Sequence, residues 1–231
     1  MKQRFLDRTE AGKLLAAQLG EYADRSDVWV LGLPRGGVPV AYEIAQALNL
    51  PLDICLVRKL GVPGQPELAM GAIAPGDITV LNHEILKALG ISYPALQQVI
   101  EDEKQELERR DRAYRENRPE PDVQGKTVIL VDDGIATGST LRAAIATLRQ
   151  KHPKEIVVAV PVAPTSACEA LRAIVDKIIC LSTLEPINSI GMWYVDFSQT
   201  CDQEVRHLLA QQILAQQTIG ATDDQNRMIK S

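Results

Sequence analysis

Short apolar segments alternate with longer amphipathic ones along most of the chain. Five segments are predicted to be strands: 28–33, 52–57, 126–131, 155–160 and 178–181. The last three are apolar on both faces, as in strands buried on both sides of a sheet. Three stretches between the five segments have the length and spacing of helices: 38–48, 140–152 and 165–175. The pattern predicts an α/β fold, an open and mainly parallel sheet flanked by helices and joined by right-handed crossovers.

Two regions interrupt this alternation. Segments 69–74 and 78–81 are further strand candidates around the turn Pro75-Gly76-Asp77. Segment 92–117 is predicted to be an inserted long helix with Ser92 as its cap and a narrow apolar stripe. This helix either lies solvated across the domain or contacts a partner, as at a dimer interface.

Composition narrows the classes of partner and the cellular location. The net charge is −5 and no run of Lys or Arg is long enough to form a basic face, so we expect no nucleic-acid binding. No segment is long and apolar enough to cross a bilayer, and charges interrupt the first residues, so neither a membrane span nor a signal peptide is predicted. The four cysteines lack a CxxC pair, which favours free thiols in a reducing cytoplasm over a zinc site.

The apolar segment 126–131 is followed by an acidic pair and a turn rich in glycine and hydroxyl groups. This loop reads Asp132-Asp133-Gly134-Ile135-Ala136-Thr137-Gly138-Ser139-Thr140. Backbone amides at the start of the next helix lack partners and lie at the positive end of its dipole, so they are predicted to bind a phosphate monoester. The carboxylates suit sugar hydroxyls, or a Mg²⁺ ion bound through water. The loop therefore predicts a site for ribose 5-phosphate.

The same segment resembles the phosphoribosyl diphosphate signature of type I phosphoribosyltransferases: an apolar strand, Asp-Asp, two further residues, then Ala/Asp-Thr-Gly-x-Thr. It is not a Walker loop, which would need GxxxxGK[ST]. The resemblance implies the type I phosphoribosyltransferase fold, with phosphoribosyl diphosphate as substrate and Mg²⁺ as cofactor. It places Asp132 and Asp133 on the ribose and the metal, and it places the phosphate on Ala136, Thr137, Gly138, Ser139 and Thr140.

Two other loops fit this resemblance. Leu33-Pro34-Arg35-Gly36-Gly37-Val38 stands where the family has its diphosphate-binding loop, often with a cis peptide, so Arg35 and the amides of Gly36 and Gly37 are predicted to bind diphosphate. Arg58-Lys59-Leu60-Gly61-Val62-Pro63-Gly64 resembles a loop of adenine phosphoribosyltransferases. Its two cations would neutralise diphosphate, and the stretch to Gly76 would form a mobile lid. A basic surface loop is the alternative interpretation.

The acceptor is less defined. Segment 191–197 loosely resembles the hood of 6-oxopurine enzymes, where Trp193 would stack on a nucleobase, although such aromatic residues also pack as core. Ala136 stands where those enzymes carry an aspartate. Asn188 stands near an expected stacking position, and Val160-Pro161-Val162 lacks their purine-reading lysine. A catalytic acid or base is expected at Glu67, as in the lid of adenine enzymes, or secondarily at Asp196.

These interpretations predict one domain over 1–217, with a core at about 26–182, a hood and C-terminal helix at about 183–217, and a flexible tail at 218–231. The predicted activity is Mg²⁺-dependent transfer of 5-phosphoribosyl to a nitrogenous base in nucleotide salvage, by a cytoplasmic homodimer. A regulatory protein that binds phosphoribosyl diphosphate without turnover is the main alternative. A phosphohydrolase that uses Asp132 as nucleophile or metal ligand is a third possibility.

Overall fold

The computed structural model of the protein describes residues 4–116, 118–183 and 189–229, without the side chains of Glu67 and of residues 217–229. A five-stranded sheet of order β2-β1-β6-β7-β8 forms its centre, and all neighbouring strands are parallel. The strands are β1 (Val28–Gly32), β2 (Leu52–Ile54), β6 (Thr127–Val131), β7 (Glu155–Ala163) and β8 (Lys177–Thr183). The predicted parallel α/β sheet is confirmed.

Helices cover both faces of this sheet. One face carries α1 (Arg8–Gln18), α2 (Gly37–Leu48) and α7 (Asp202–Ile229), and the other carries α5 (Ser139–Arg149) and α6 (Thr165–Arg172). Alternate residues of β6 serve the two layers: Ile129 packs with the first group, and Val128 and Leu130 pack with the second. This double coverage explains why the strands are apolar at every position.

The segment predicted to be a lid is largely an antiparallel sheet rather than a loop. It consists of β3 (Arg58–Val62), β4 (Gln65–Ala74) and β5 (Ile78–Leu81), followed by α3 (His83–Ala88). The predicted strand 52–57 ends at Ile54, so Arg58 and Lys59 begin β3 instead of following a strand of the central sheet. Leu60 and Met70 are fully buried, which anchors the small sheet to the core. Its mobility stays a prediction.

The long helix α4 (Tyr93–Arg115) begins at the predicted cap, where Ser92 accepts a hydrogen bond from the Ala95 amide. Its apolar stripe is buried against the core at Leu96, Leu107 and Tyr114. The helix therefore lies across the domain, and its contact with a partner stays a prediction. The backbone of α7 is helical through Ile229, beyond the predicted start of the tail at residue 218, whose flexibility stays a prediction. Within the described ranges, no helix combines the length and apolar character of a membrane span.

A buried ion pair fixes the end of α4 to the central sheet. Arg115 is only 1% exposed, and its Nε donates to both carboxylate oxygens of Asp53 on β2, at 3.2 and 3.3 Å. Its Nη2 donates to the carbonyl of Ile54 at 2.8 Å, and its Nη1 donates to Asp111 at 2.6 Å. Burial is the largest influence on the pKa of Asp53 and raises it, so this carboxylate depends on Arg115 to stay charged.

Replacing Arg115 tests this anchor. Arg115→Ala leaves Asp53 buried without its cation, so we expect the free energy of unfolding in urea to fall by about 3–5 kcal/mol. Arg109→Ala on the exposed side of α4 serves as the control, with an expected loss below about 1 kcal/mol. Equal losses in the two variants would contradict the anchoring role.

Candidate functional site

The loops that carry the predicted site residues meet at the carboxyl ends of β1 and β6. Neighbouring parallel strands end at the same edge, so the loop after Gly32 lies beside the loop after Val131. The approach is close enough to require glycine: a Cβ on Gly36 would lie 2.0 Å from Oδ2 of Asp133, and one on Gly37 would lie 2.6 Å from the carbonyl of Val131. The Pro34–Arg35 peptide bond is cis, as the resemblance implies.

The loop 132–140 has the amide arrangement that its sequence predicts. Helix α5 begins at Ser139, and its cap, Gly138, has a φ of 74°, a backbone conformation that favours glycine. Within the described part of the chain, the amides of Ala136, Thr137, Gly138 and Thr140 donate no hydrogen bond. The hydroxyls of Thr137 and Ser139 lie 3.1 Å apart. The helix entrance therefore presents unsatisfied donors and two hydroxyls to one spot.

Two cavities adjoin at this helix entrance. The smaller has a volume of about 170 Å³ and is lined by residues 132–141 and Ile190. The larger has a volume of about 670 Å³ and lies between Pro34, the β3–β4 hairpin and α4. Thr140 lines both. Each of the three predicted loops therefore borders one of these cavities: Pro34, Arg58 and Lys59 line the larger one, and the loop 132–140 lines the smaller one.

The two aspartates have different environments. Asp133, which the resemblance places on the ribose and the metal, is only 9% exposed. Its Oδ2 accepts hydrogen bonds from Nε and Nη2 of Arg8 on α1, at 2.9 and 2.7 Å. Burial raises the pKa of Asp133, and Arg8 opposes that rise. Asp133 is therefore held in an ion pair that the loop motif does not predict.

Arg8 and the hood close over this ion pair. The guanidinium of Arg8 lies 4.0 Å from the centre of the Phe197 ring, and its Nη1 donates to the carbonyl of Ser198 at 2.8 Å. The fully buried Tyr194 donates its hydroxyl to the carbonyl of Asp133 at 2.7 Å. Burial raises the pKa of Tyr194, so its hydroxyl stays protonated and keeps donating. These contacts tie α1, the acidic loop and the hood into one unit.

The aromatic residues of the hood serve chiefly as its core. Tyr194 forms a parallel bridge with Phe5, and its ring lies 5.0 Å from that of Phe197. Trp193 belongs to a short 3-10 helix (Ile190–Trp193) and is half-buried against this cluster. Asn188 lies outside the described residues. The packing supports the interpretation of these aromatic residues as core, and stacking of Trp193 on a base stays a prediction.

Asp132 is the more accessible carboxylate. It is half-buried, its Oδ1 accepts the amide of Asp133 at 2.9 Å, and the described residues donate no hydrogen bond to its Oδ2. Burial first, and the neighbouring Asp133 second, raise the pKa of Asp132 well above its usual value. A cation or a hydroxyl donor bound to this carboxylate would stabilise its charged form and oppose the rise in its pKa.

A magnesium ion fits this site only if water and a bound substrate supply most of its ligands. Among the described residues, no group of three or more His, Cys, Asp or Glu side chains could hold a metal. Mg²⁺ commonly binds through one or two carboxylates, several waters and substrate phosphates, an arrangement that Asp132 can support. Asp133 fits less well, because Arg8 already supplies its positive partner.

The remaining predicted residues are the two glycines of the predicted diphosphate loop, Asp196 and Glu67. The amide of Gly37 donates to the carbonyl of Leu33, whereas the amide of Gly36 donates to no described residue. The amide of Gly36 is therefore the more available of the two, and binding of diphosphate by these two amides stays a prediction. Asp196 is exposed and accepts hydrogen bonds from Ser198, which lower its pKa and make it a weak proton acceptor. The side chain of Glu67 lies outside the described part.

Sequence reasoning missed Arg8 and Tyr194. A local signal for α1 exists, because Asp7 accepts the amide of Glu10 in the Asp-x-x-Glu pattern of a helix start. That signal predicts the helix α1 but not the pairing of Arg8 with Asp133. The pairing with Asp133 joins residues 125 positions apart and follows from the tertiary fold alone.

The different environments of the two aspartates give opposite expectations for stability. Asp133→Asn weakens the partner of the buried Arg8, so we expect the free energy of unfolding to fall by about 1–3 kcal/mol. Asp132→Asn removes a charge that burial and Asp133 disfavour, so stability should stay the same or rise by up to about 1 kcal/mol. Chemical denaturation of the ligand-free protein measures both. An equal loss in the two variants would refute the distinction.

Comparisons with known proteins agree with this geometry. The family model described as "Phosphoribosyl transferase domain" matches residues 6–195. The chain is 41% identical over 201 residues to "Putative phosphoribosyl transferase Rv0571c" of Mycobacterium tuberculosis, a match that covers 87% of this chain and 45% of the relative. The chain thus spans about half the length of the curated relatives it matches.

Solved structures extend the comparison. The crystal structure of TT1426 from Thermus thermophilus is 40% identical, covers 90% of this chain and 98% of its own, and superposes with a TM-score of 0.82. The AQ2163 protein of Aquifex aeolicus shares the fold at 12% identity, with a TM-score of 0.50 over 87% of this chain and 84% of its own. Because the family model matches residues 6–195 and the structure from Thermus thermophilus is 40% identical over almost its whole length, this chain belongs to the phosphoribosyl transferase domain family.

Proposed function

We propose that the protein transfers a 5-phosphoribosyl group from phosphoribosyl diphosphate to a nitrogenous base and releases diphosphate in a Mg²⁺-dependent reaction. One observation carries the proposal: the unsatisfied amides at the start of α5 lie beside the accessible carboxylate of Asp132. A phosphate cradle next to an acceptor of sugar hydroxyls fits a phosphorylated pentose.

Each part of the site has a task in this reaction. The amides and hydroxyls of loop residues 136–140 hold the 5-phosphate, and Asp132 accepts hydrogen bonds from the ribose hydroxyls. A bound Mg²⁺ would supply charge neutralisation on the leaving diphosphate, with Asp132 as its protein ligand. The Gly36 amide, Arg35, Arg58 and Lys59 stabilise the departing diphosphate from the opposite side.

The carboxylate of Asp132 also favours the positive charge that develops on the ribose as its bond to diphosphate breaks. Because Arg8 neutralises Asp133, this assistance falls to Asp132. For proton transfer we retain Glu67, on the strength of the resemblance to adenine enzymes. Asp196 is poorly suited, because its hydrogen bonds with Ser198 lower its pKa.

We further propose a nucleobase acceptor of the adenine type. Ala136 offers no carboxylate for a 6-oxopurine, and the Arg58-Lys59 segment resembles that of adenine enzymes. Trp193 lies at the edge of the hood, where a base could contact it. Nucleotide salvage, a cytoplasmic location and a homodimer, which the resemblance also implies, stay predictions.

A diphosphate-release assay tests the proposal. Wild-type protein with Mg²⁺ and phosphoribosyl diphosphate should release diphosphate when a panel of bases includes the acceptor. Asp132→Asn should lower kcat/KM by about 100-fold or more, the effect expected when one transition-state contact is removed. Asp122→Asn, the same change on an exposed loop at the other end of β6, should leave the rate unchanged.

The alternatives give different results in the same assay. Calorimetric binding of phosphoribosyl diphosphate without release for any base would indicate a regulatory protein. Orthophosphate release without an acceptor would indicate a phosphohydrolase. Absence of binding to any phosphorylated pentose would refute the proposed function.

A further inference from the structure

The two arginines predicted to bind diphosphate are already paired with carboxylates. Arg58 lines the larger cavity, and Arg35 directly follows Pro34, which lines it too. The carboxylates belong to two helices. One is α4, which follows the small sheet in sequence and precedes β6, and the other is α7, at its first residue. Both arginines remain partly exposed, at 27% for Arg58 and 39% for Arg35. A ligand in the cavity can therefore contact Arg58, and Arg35 is exposed next to the cavity-lining Pro34.

Glu103 of α4 holds Arg58. Its Oε2 accepts from Nε and Nη2 of Arg58, each at 2.5 Å, and Glu103 itself lines the cavity. The carboxylate therefore occupies the Nε–Nη2 edge of the guanidinium, and arginine binds phosphate groups through such edges as well. Diphosphate and Glu103 cannot both occupy that edge.

Asp202, the first residue of α7, holds Arg35. Its Oδ1 lies 3.7 Å from Nη1 of Arg35 and accepts a hydrogen bond from the Tyr114 hydroxyl at 2.7 Å. Tyr114 belongs to α4 and is buried, so it keeps Asp202 in place and hydrogen-bonded even when Arg35 moves away. Helix α4 thus contributes to both pairs.

From these contacts we infer that Glu103 and Asp202 are internal competitors of diphosphate: they hold Arg58 and Arg35 in the free protein, and diphosphate displaces them when it binds. The inference rests on the proposed function and concerns regulation of the same site. Competition of this kind lowers affinity for diphosphate, because each arginine must give up one anionic partner to gain another. It also speeds product release, because the carboxylates reclaim the arginines as diphosphate leaves.

Amide substitutions remove the competition without removing the side chains. Glu103→Gln keeps an oxygen that Arg58 can contact but loses the charge, so inorganic diphosphate should bind about three- to tenfold more tightly, the size expected for a partly exposed ion pair. Asp202→Asn keeps an acceptor for Tyr114 and should act in the same direction. Isothermal titration calorimetry with Mg-diphosphate measures both, and thermal melting checks that each variant is folded.

A matched control separates competition from overall charge. Glu101→Gln makes the same charge change on the same helix, but two positions away and therefore on the opposite side, where Glu101 is exposed. Its affinity for diphosphate should equal that of the wild type. In an Arg58→Gln background, Glu103→Gln should have no effect, because the contested cation is gone.

The outcomes distinguish this inference from the proposed function. Tighter binding in Glu103→Gln and Asp202→Asn, with Glu101→Gln unchanged, supports it. Unchanged or weaker binding in both variants, when the wild type binds diphosphate, overturns the inference and leaves the proposed function standing. A wild type that binds neither diphosphate nor phosphoribosyl diphosphate overturns both.

Discussion

The ion pair between Arg8 and Asp133 joins three segments that are distant in sequence. Arg8 starts α1, Asp133 follows β6, and the Phe197 ring and Ser198 carbonyl that also contact Arg8 belong to the hood. A charge as buried as Asp133 is stable only with a partner, so α1 must dock wherever this carboxylate lies. The close contact of Gly36 with the same carboxylate then fixes the predicted diphosphate loop relative to the phosphate loop.

The ion pair with Arg8 gives Asp132 and Asp133 different roles. Asp133 faces inwards and maintains the architecture, whereas Asp132 is left beside the helix entrance with one carboxylate oxygen that no described residue contacts by a hydrogen bond. The raised pKa of Asp132 is the expected consequence of keeping a second carboxylate in such a place. A bound cation or sugar hydroxyl would stabilise the negative charge of Asp132, which burial and Asp133 destabilise in the free protein.

The sequence was informative where local rules determine structure. Continuous apolar runs predicted the parallel strands, and the Asp-Asp and Thr-Gly-Ser-Thr pattern predicted the loop and the start of α5 to within one residue. The sequence was less informative where contacts between residues distant in sequence determine the structure. Strands were predicted at 69–74 and 78–81, but the glycines and prolines before them indicated a loop at 58–68, where burial of Leu60 and Met70 against the core instead stabilises an antiparallel sheet that includes β3. The pairing of Arg8 with Asp133 and the inward direction of Asp133 have no local signature.

A crystal structure with phosphoribosyl diphosphate and Mg²⁺ would show whether the entrance of α5 and Asp132 together hold a phosphorylated pentose. We expect the 5-phosphate within hydrogen-bond distance of the backbone amides of residues 136–140, with the ribose hydroxyls on Asp132. A sugar phosphate bound elsewhere, with this loop empty, would contradict this expectation.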